Sequence, residues 1–511
     1  MIKKSGKKLA LLAAAALMTI SLAACSADAS ERDHSNLVVV TGGQVAPFLD
    51  PHSSNDSSTS LINVQIYETL VRQDESLNIV PGLALDWNAS EDGRTLTFIL
   101  REGVKFHNGD VMTAEDVKFS IERALSFPIV AEIVSVIDTV EVIDEHTVSI
   151  TTHEPFGPIL NHLAHPAASI LSQADVARVD GDYGAEPVGT GPFIFDSSQV
   201  GTQTVLRANP EYWGQVPQVE TLTIRTITEG SVRTAQLETN EADIALSLPS
   251  SDIRRLEENA NVHLERVEGL STNYLALNTS RPYLDNVLVR QAISYAIDMD
   301  TIMTTILENI GQVARGPIGP NIFGFNPAMQ PYPYDVERAR ELMAEAGYAD
   351  GFTLNLLVNT ETAERISIAT AVQSMLAQIN INVTIEQNDW PTVLQRTGNG
   401  EHDMSVLGWG TLTGDADYGL YSVFHSSSPA TAGNRAFFAN DRVDELLDFG
   451  RNTMDPALRE QAYHEVQEIV REQAPWVFVN HTEVIAGLQN DVQGFNLNPT
   501  NAHRFNTVYF E

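Results

Sequence analysis

Residues 353–386 read TLNLLVNTETAERISIATAVQSMLAQININVTIE, and this stretch decides the fold class. It begins with a strand-like apolar run (353–359), continues with a helical segment (364–379) and returns to a strand (382–386). A further strand is predicted at 404–409. Strand–helix–strand order at this length implies parallel pairing, so the sequence predicts an α/β lobe. Ligands in such folds bind beyond the carboxyl ends of strands, which directs attention to the loop after residue 409.

Strand-like and helical segments alternate along the rest of the chain. The helices carry start and stop signals: Thr113 and Asp116 have the spacing of a capping box, Asp335 can cap the next helix, and Gly347 can end it. A third helix has Pro456 at its first position and stops before Pro475. Strands are predicted at 37–41, 95–100, 147–152 and 221–226 from their β-branched residues.

The N-terminus predicts export and a lipid anchor. Four lysines precede an apolar run at 9–24, which is shorter than the roughly 20 residues of a membrane span. The run ends in Leu-Ala-Ala-Cys at 22–25, which resembles a bacterial lipobox, and Cys25 is the only cysteine of the chain. We therefore predict a signal peptide at 1–24, a lipidated Cys25 that attaches the protein to the membrane, and a flexible tether at 25–36.

Composition excludes several classes of function. A mature chain beginning at Cys25 has 511 − 24 = 487 residues, enough for two or three domains. It carries all 67 acidic residues and 31 − 4 = 27 basic ones, a net charge of 27 − 67 = −40. Nucleic acid is an unsuitable partner for such a surface. A single cysteine rules out an internal disulfide or a thiolate zinc site.

Several motifs, in order along the chain, resemble one known family. The longest is ALDWNASEDGRTLTFILREGVKFHNG at 84–109, and shorter ones are TAEDV at 113–117, VGTGPF at 188–193, RQAISYAID at 290–298, AEAGY at 344–348 and GW at 408–409. Together they are similar to the family 5 bacterial solute-binding proteins, which include the peptide-, glutathione- and nickel-binding components of ABC importers.

This resemblance implies a two-lobed α/β fold with the ligand cleft between the lobes. We expect the first lobe at 37–273, with an extra subdomain at about 67–186, and the second lobe at 274–478. A C-terminal segment, 479–511, would return to the first lobe. The expected partners are a peptide or glutathione-like ligand and the permease subunits of an ABC importer, and the protein itself is expected to be a monomer without a cofactor.

The loop after Gly408-Trp409 contains the main candidates for ligand binding. Peptide-binding relatives use an aspartate shortly after this Gly-Trp to hold the ligand's N-terminus, and a gap-free count puts Leu412 there. The residues at 413–418 look more like those of the glutathione-binding branch. Asp415 and Asp417 are therefore candidates for the ligand's ammonium group. The alternative is that these two carboxylates cap a turn or the start of a helix.

Four other residues are weaker candidates, each with a structural alternative. Trp409 is a candidate cleft wall or a core residue, and Arg396 a partner for a ligand carboxylate or a surface arginine. Tyr274 and Asn278 fall where the chain is expected to cross between the lobes, so Asn278 serves either the hinge or a strand end.

Three other functions are weighed against peptide capture. An enzyme is disfavoured because the sequence has no Gly-x-Ser-x-Gly, P-loop or zincin motif. Uptake of nickel or a metallophore is an alternative because His162 and His165 have the spacing of one helical face, although Pro166 equally indicates a helix end. A surface receptor for peptides that works without an importer has the same sequence features.

Overall fold

The computed structural model describes residues 33–43, 48–54, 57–179, 183–360 and 363–511. The predicted signal peptide, Cys25 and most of the predicted tether lie outside these residues. No helix in the described ranges is both long and apolar enough to cross a bilayer.

Strands and helices both occur along the chain, but they do not alternate throughout as the sequence predicts, because the strands within 71–100, 193–226 and 476–510 follow one another without a helix between them. In order the strands are β1 (Asn36–Thr41), β2 (Val71–Gln73), β3 (Ile79–Pro81), β4 (Ala84–Ala89), β5 (Thr95–Leu100), β6 (Ile137–Asp144), β7 (Thr147–Thr152), β8 (Phe193–Gln199), β9 (Gln203–Ala208), β10 (Thr221–Thr226), β11 (Ile244–Leu246), β12 (Val262–Leu277), β13 (Gln312–Val313), β14 (Phe352–Asn359), β15 (Ile381–Asn388), β16 (Met404–Gly410), β17 (Trp476–Gln489), β18 (Val492–Gln493) and β19 (Tyr509–Phe510).

The helices are α1 (Ser57–Ile66), α2 (Ala114–Leu125), α3 (Pro128–Val134), α4 (Ile159–Leu163), α5 (Gln173–Arg178), α6 (Gly230–Glu238), α7 (Ser250–Glu257), α8 (Val287–Ala296), α9 (Met299–Thr305), α10 (Val336–Glu345), α11 (Ala363–Leu376), α12 (Trp390–Gly398), α13 (Ala416–Phe424), α14 (Asp441–Asn452) and α15 (Pro456–Gln473). Short 3₁₀ turns lie at Pro166–Ala168 and Ala377–Ile379.

The predicted helix signals are confirmed by their hydrogen bonds. The Asp116 carboxylate accepts from the Thr113 backbone N–H at 2.9 Å at the start of α2. At the start of α10 the Asp335 carboxylate accepts from the backbone N–H of Arg338 at 2.9 Å. Gly347 follows α10 with a φ of +86°, a conformation that favours glycine.

The α/β prediction from residues 353–386 is confirmed. Strand β14 pairs in parallel with both β15 and β16, and α11 connects β14 to β15. This unit is one end of a mixed sheet with the strand order β15-β14-β16-β12-β17-β11-β1-β10-β9-β8, and β13 pairs separately with β17. Strands β4, β5, β7 and β6 form a second sheet.

Two long antiparallel strands, β12 and β17, join the two ends of the large sheet. Their pairing register shifts between Glu268 and Thr272, and again between Asn273 and Tyr274. Strands β11, β1 and β10 lie on the β17 side of this pair, and strands β16, β14 and β15 lie on the β12 side. These irregularities fall where the family resemblance puts the crossover between lobes.

The apolar cores follow the same division. One core joins residues from 37–67, 171–246 and 486–508, so the C-terminal residues pack with the beginning of the chain. A separate core covers the second sheet and helices α2 to α4. Two further cores lie on the side of β14 to β16. We use the limits 37–273 and 274–478 below as names for the first and second lobes.

Candidate functional site

Asp415 is the N-cap of α13 and a member of a buried ion pair. Its carboxylate accepts from the backbone N–H of Asp417 at 2.9 Å. The same oxygen accepts from Nη2 of Arg459, on α15, at 2.7 Å. Only 2% of Asp415 is exposed. Burial raises its pKa, and the Arg459 guanidinium opposes that rise.

Asp417, two residues further on, is paired with a second arginine. Its two carboxylate oxygens accept from Nε and Nη2 of Arg451, on α14, at 2.9 and 3.1 Å. This bidentate arrangement is the strongest interaction that arginine forms with a carboxylate. Asp415 and Asp417 thus lie close together with their charges compensated inside the second lobe. A ligand ammonium would have to displace a guanidinium, so ligand binding by these residues stays a prediction.

The loop that carries these aspartates is held by the first lobe. The carbonyl oxygen of Thr413 accepts from the side-chain amides of Gln73 at 2.6 Å and Asn161 at 3.0 Å. The backbone N–H of Gly157 donates to the carbonyl of Arg451 at 2.9 Å. The residues of the first lobe in these contacts belong to the predicted extra subdomain. The loop after β16 is therefore a meeting point of the two lobes.

Trp409, Tyr274 and Asn278 have well-defined partners within the protein. Trp409 is partly buried at the end of β16 and donates its Nε1–H to the carbonyl of Tyr418 at 3.3 Å. Tyr274 is 1% exposed and stacks on Trp476 with ring centroids 3.4 Å apart. The buried Asn278 amide donates to the carbonyl of His402 at 3.0 Å.

Arg396 lies on α12 and pairs with two carboxylates of its own lobe. Its Nη1 donates to Glu386 at 2.8 Å, and its Nε donates to Glu401 at 3.3 Å. This arrangement is that of a surface arginine in a local ion-pair cluster. Ligand binding by Arg396 therefore stays a prediction.

A cavity of about 410 Å³ lies mainly in the first lobe. Its walls are α1, the β2–β3 hairpin, the aromatic pair Tyr212–Trp213 and the C-terminal residues between 496 and 507. Leu412 contributes from the second lobe. The volume lies within the ~300–1,000 Å³ typical of small-ligand pockets. Trp409, Tyr274, Asn278, Arg396, Asp415 and Asp417 are outside its lining.

Leu412 brings an apolar side chain to this cavity at the position where the family resemblance calls for an aspartate. The gap-free count from Gly408-Trp409 therefore identified a residue at the cavity wall. It carries no charge, so it gives a ligand ammonium no partner.

The aromatic wall is fixed from behind by a buried carboxylate. Glu68, two residues after α1, accepts from the Tyr212 hydroxyl at 2.8 Å, the Trp213 Nε1–H at 2.7 Å and the Thr190 hydroxyl at 3.0 Å. The polar edges of both rings thus have partners, and the rings themselves line the cavity. The sequence analysis did not single out this pair.

Two arginines line the cavity without a carboxylate partner. Arg504 donates from Nη1 to the carbonyl of Val64 at 3.2 Å, and Arg72 donates from Nε to the carbonyl of Pro81 at 3.4 Å. Within the described ranges, no carboxylate oxygen lies within 4.0 Å of either guanidinium. Burial lowers the pKa of Arg504, and the nearby charge of Arg72 lowers it further. Sequence reasoning missed both residues.

His162 and His165 both make local hydrogen bonds, and His165 also lines the cavity. His162 contacts the carbonyl of Ile133 through Nδ1 at 2.8 Å, and His165 accepts from the backbone N–H of Ala167 at 3.1 Å. In the part of the chain that the structure describes, no three His, Cys, Asp or Glu side chains are grouped as metal ligands would be.

Comparison with known proteins extends these observations. The chain is 32% identical over 484 residues to a glutathione-binding protein of Salmonella typhi, covering 92% of this chain and 93% of that one. A periplasmic binding protein of Helicobacter pylori, solved in complex with the peptide STSA, superposes with a TM-score of 0.82 at 31% identity. It covers 93% of this chain and 98% of that one.

A dipeptide-binding protein of Pseudoalteromonas, in complex with Met-Leu, superposes with a TM-score of 0.83 at 28% identity, covering 93% of this chain and all of the other. These matches confirm the α/β fold of periplasmic binding proteins. The family model described as "Bacterial extracellular solute-binding proteins, family 5 Middle" matches residues 78–431. The chain therefore belongs to the family 5 bacterial extracellular solute-binding proteins.

Proposed function

We propose that this protein captures a small peptide or a glutathione-like solute outside the cytoplasmic membrane and delivers it to an ABC importer. The observation that carries this proposal is the similarity to glutathione-binding proteins along more than nine-tenths of the chain. The cavity supports it because its volume suits a small ligand and its walls combine aromatic rings with polar side chains. The protein acts by binding, not as an enzyme.

The lipid anchor is part of the proposal. Cys25, at the end of the apolar run, would carry the acyl groups, and the tether would leave the two lobes free to meet the importer's permease subunits. Mass spectrometry of the protein extracted from membranes tests this. We expect a diacylglyceryl modification on Cys25 and release into the soluble fraction of a Cys25→Ala variant. An unmodified, membrane-bound variant would contradict the anchor.

Ligand would shift a hinge equilibrium between the lobes. The cavity is walled mostly by the first lobe, and Leu412 contributes from the second. A ligand that touches both walls stabilises the closed arrangement by its differential affinity for it. The register shifts in β12 and β17 lie between the lobes, at the place where the bending is expected.

Tryptophan fluorescence tests ligand capture directly, because Trp213 lines the cavity and the four other tryptophans do not. The titration uses the protein without residues 1–25, with glutathione, Met-Leu, a tetrapeptide and a nickel–histidine complex as separate ligands. We expect a saturable change with glutathione or a peptide, which Trp213→Phe removes and the control Trp409→Phe retains. Saturation by the nickel complex alone would contradict peptide capture.

A further inference from the structure

We propose that the cavity holds its ligand by an anionic group, bound between the guanidinium groups of Arg72 and Arg504, and that the ligand needs no free ammonium group. This inference rests on the proposed function and narrows its ligand to solutes that carry a carboxylate. It assigns the recognition to two residues from opposite ends of the chain.

Arg504 is positioned by a network that joins the C-terminal residues to α1. The Gln65 side chain donates to the carbonyl of His503 at 2.6 Å and accepts from the backbone N–H of Phe505 at 3.3 Å. His503 and Phe505 are both buried, so the residue between them is directed away from their core. The Arg504 side chain reaches the cavity with a single described hydrogen bond, to the carbonyl of Val64.

Arg72 reaches the same cavity from the β2–β3 hairpin. Its neighbour Val71 is fully buried, and its other neighbour Gln73 is bonded to the second lobe at Thr413. The strand is thus fixed on both sides of Arg72. A guanidinium has five N–H donors, and one weak bond to Pro81 leaves most of them unused.

Two guanidinium groups that repel each other and have no carboxylate partner are costly where both are partly buried. Arg290, another arginine without a carboxylate partner among the described residues, donates to the carbonyls of Gln473 and Leu284 at 2.8 Å each. Arg72 and Arg504 each have one such bond, so more of their donors remain for a ligand. Glu68 raises the pKa of Arg504, but its oxygens already accept from Tyr212, Trp213 and Thr190. A ligand carboxylate would compensate the charge, and its planar shape suits bidentate bonds with arginine.

The carboxylates that line the cavity are poorly suited to hold an ammonium group. The Asp74 carboxylate accepts from the backbone N–H groups of Ser76 and Asn78, at 2.9 and 2.8 Å, and from the Asn78 amide at 3.0 Å. Glu75 is exposed to solvent, where an ion pair is worth little. Across the cavity, Leu412 is apolar. The described residues of the cavity wall therefore offer a ligand ammonium no suitable carboxylate, whereas the two arginines there can bind an anionic group.

The first experiment uses succinate, a dicarboxylate without an ammonium group, as the probe. We measure the thermal unfolding midpoint with sodium succinate against sodium chloride at equal ionic strength. The wild-type protein is expected to gain a succinate-dependent increase that Arg72→Gln and Arg504→Gln each reduce and the double variant loses. Arg225→Gln is the matched control, because Arg225 also donates to a backbone carbonyl at 3.2 Å but lies outside the cavity. A response that is absent, or equal in wild type and double variant, overturns the anion site.

The second experiment measures calorimetric affinities for glutathione and Met-Leu, each as the free form, an N-acetylated form and a C-terminal amide. We expect each arginine substitution to weaken binding of the free form ~10- to 100-fold, the range for hydrogen bonds to a charged group. N-acetylation and Glu75→Gln are expected to leave affinity unchanged. Amidation is expected to weaken binding of Met-Leu, because it removes the only carboxylate of that ligand. Loss of binding on N-acetylation would overturn the claim about the ammonium.

The two experiments separate this inference from the proposed function. If no peptide binds while the wild type responds to succinate and the double variant does not, peptide capture is wrong and the anion site stands. If glutathione binds wild type and double variant equally, peptide capture stands and the role of Arg72 and Arg504 is wrong. Unfolding midpoints without ligand identify any variant that has lost its fold.

Discussion

Two pairs of arginines in this protein have opposite surroundings. Arg451 and Arg459 lie behind the loop after β16, and each donates to a buried aspartate at 3.1 Å or less. Arg72 and Arg504 line the cavity, and within the described residues neither has a carboxylate partner. The first pair has its charge compensated inside the second lobe, whereas among the described residues the second pair bonds only to backbone carbonyls, as the buried Arg290 also does. What distinguishes the second pair is that both of its side chains line one cavity.

The largest expected change in unfolding free energy comes from breaking the buried ion pair of Asp415 and Arg459. Replacing Arg459 by methionine leaves a buried carboxylate without its partner, which costs about 3–5 kcal/mol of unfolding free energy. Urea unfolding followed by circular dichroism measures this change. In the double variant Asp415→Asn/Arg459→Met the loss is expected to shrink, because no uncompensated charge remains. A single variant as stable as wild type would contradict the structural role.

Low pH is expected to destabilise the protein through His503, a buried histidine that precedes the cavity residue Arg504. Burial lowers the pKa of His503 to about 3, and its Nδ1 accepts from the backbone N–H of Asn498, which a protonated ring cannot do. An unfolded histidine has a pKa of about 6.5, so below that pH the unfolded chain binds a proton that the native state does not. Its contribution to stability is therefore complete above pH ~6.5 and is lost progressively towards pH ~3, at about 1.4 kcal/mol per pH unit.

Unfolding free energies measured across this pH range test the histidine effect. His503→Asn is expected to reduce the loss of unfolding free energy on acidification by about 1.4 kcal/mol per pH unit. An identical pH profile for wild type and His503→Asn would show that the ring is protonated in the native state.

The smallest effect is expected at the cavity. Arg504→Met removes one hydrogen bond, worth about 1 kcal/mol, and relieves the repulsion from Arg72, so the unfolding free energy should change by less than about 1 kcal/mol. The same chemical change thus has a large effect at Arg459 and almost none at Arg504. A loss at Arg504 as large as that at Arg459 would show that its charge is compensated within the protein.

Local signals in the sequence predicted much of the fold. The capping aspartates Asp116 and Asp335, and the alternation of strands and helices around 353–386, depend on residues close in the chain. The site was harder to predict from the sequence than the fold. Asp415 and Asp417 were recognised as polar loop residues, but their partners lie 44 and 34 positions away on other helices. No local pattern reveals such pairing.

The cavity arginines could not be predicted, because they come from the two ends of the chain. Arg72 follows α1 and Arg504 lies in the C-terminal residues, and they meet only because those residues pack back onto the first lobe. The resemblance predicted that return but gave no residue in it a role. Leu412 was the one local signal that indicated the cavity. Its position after Gly408-Trp409 correctly predicted a residue of the cavity wall, although an aspartate was expected there instead of a leucine.

A crystal structure of the protein without residues 1–25, grown with glutathione, would show directly which residues hold the ligand. We expect glutathione in the cavity beside Trp213, with a carboxylate within hydrogen-bonding distance of Arg72 and Arg504, and with Asp415 and Asp417 still paired to Arg459 and Arg451. A ligand whose ammonium group binds Asp415 or Asp417, with the cavity arginines unoccupied, would contradict this expectation.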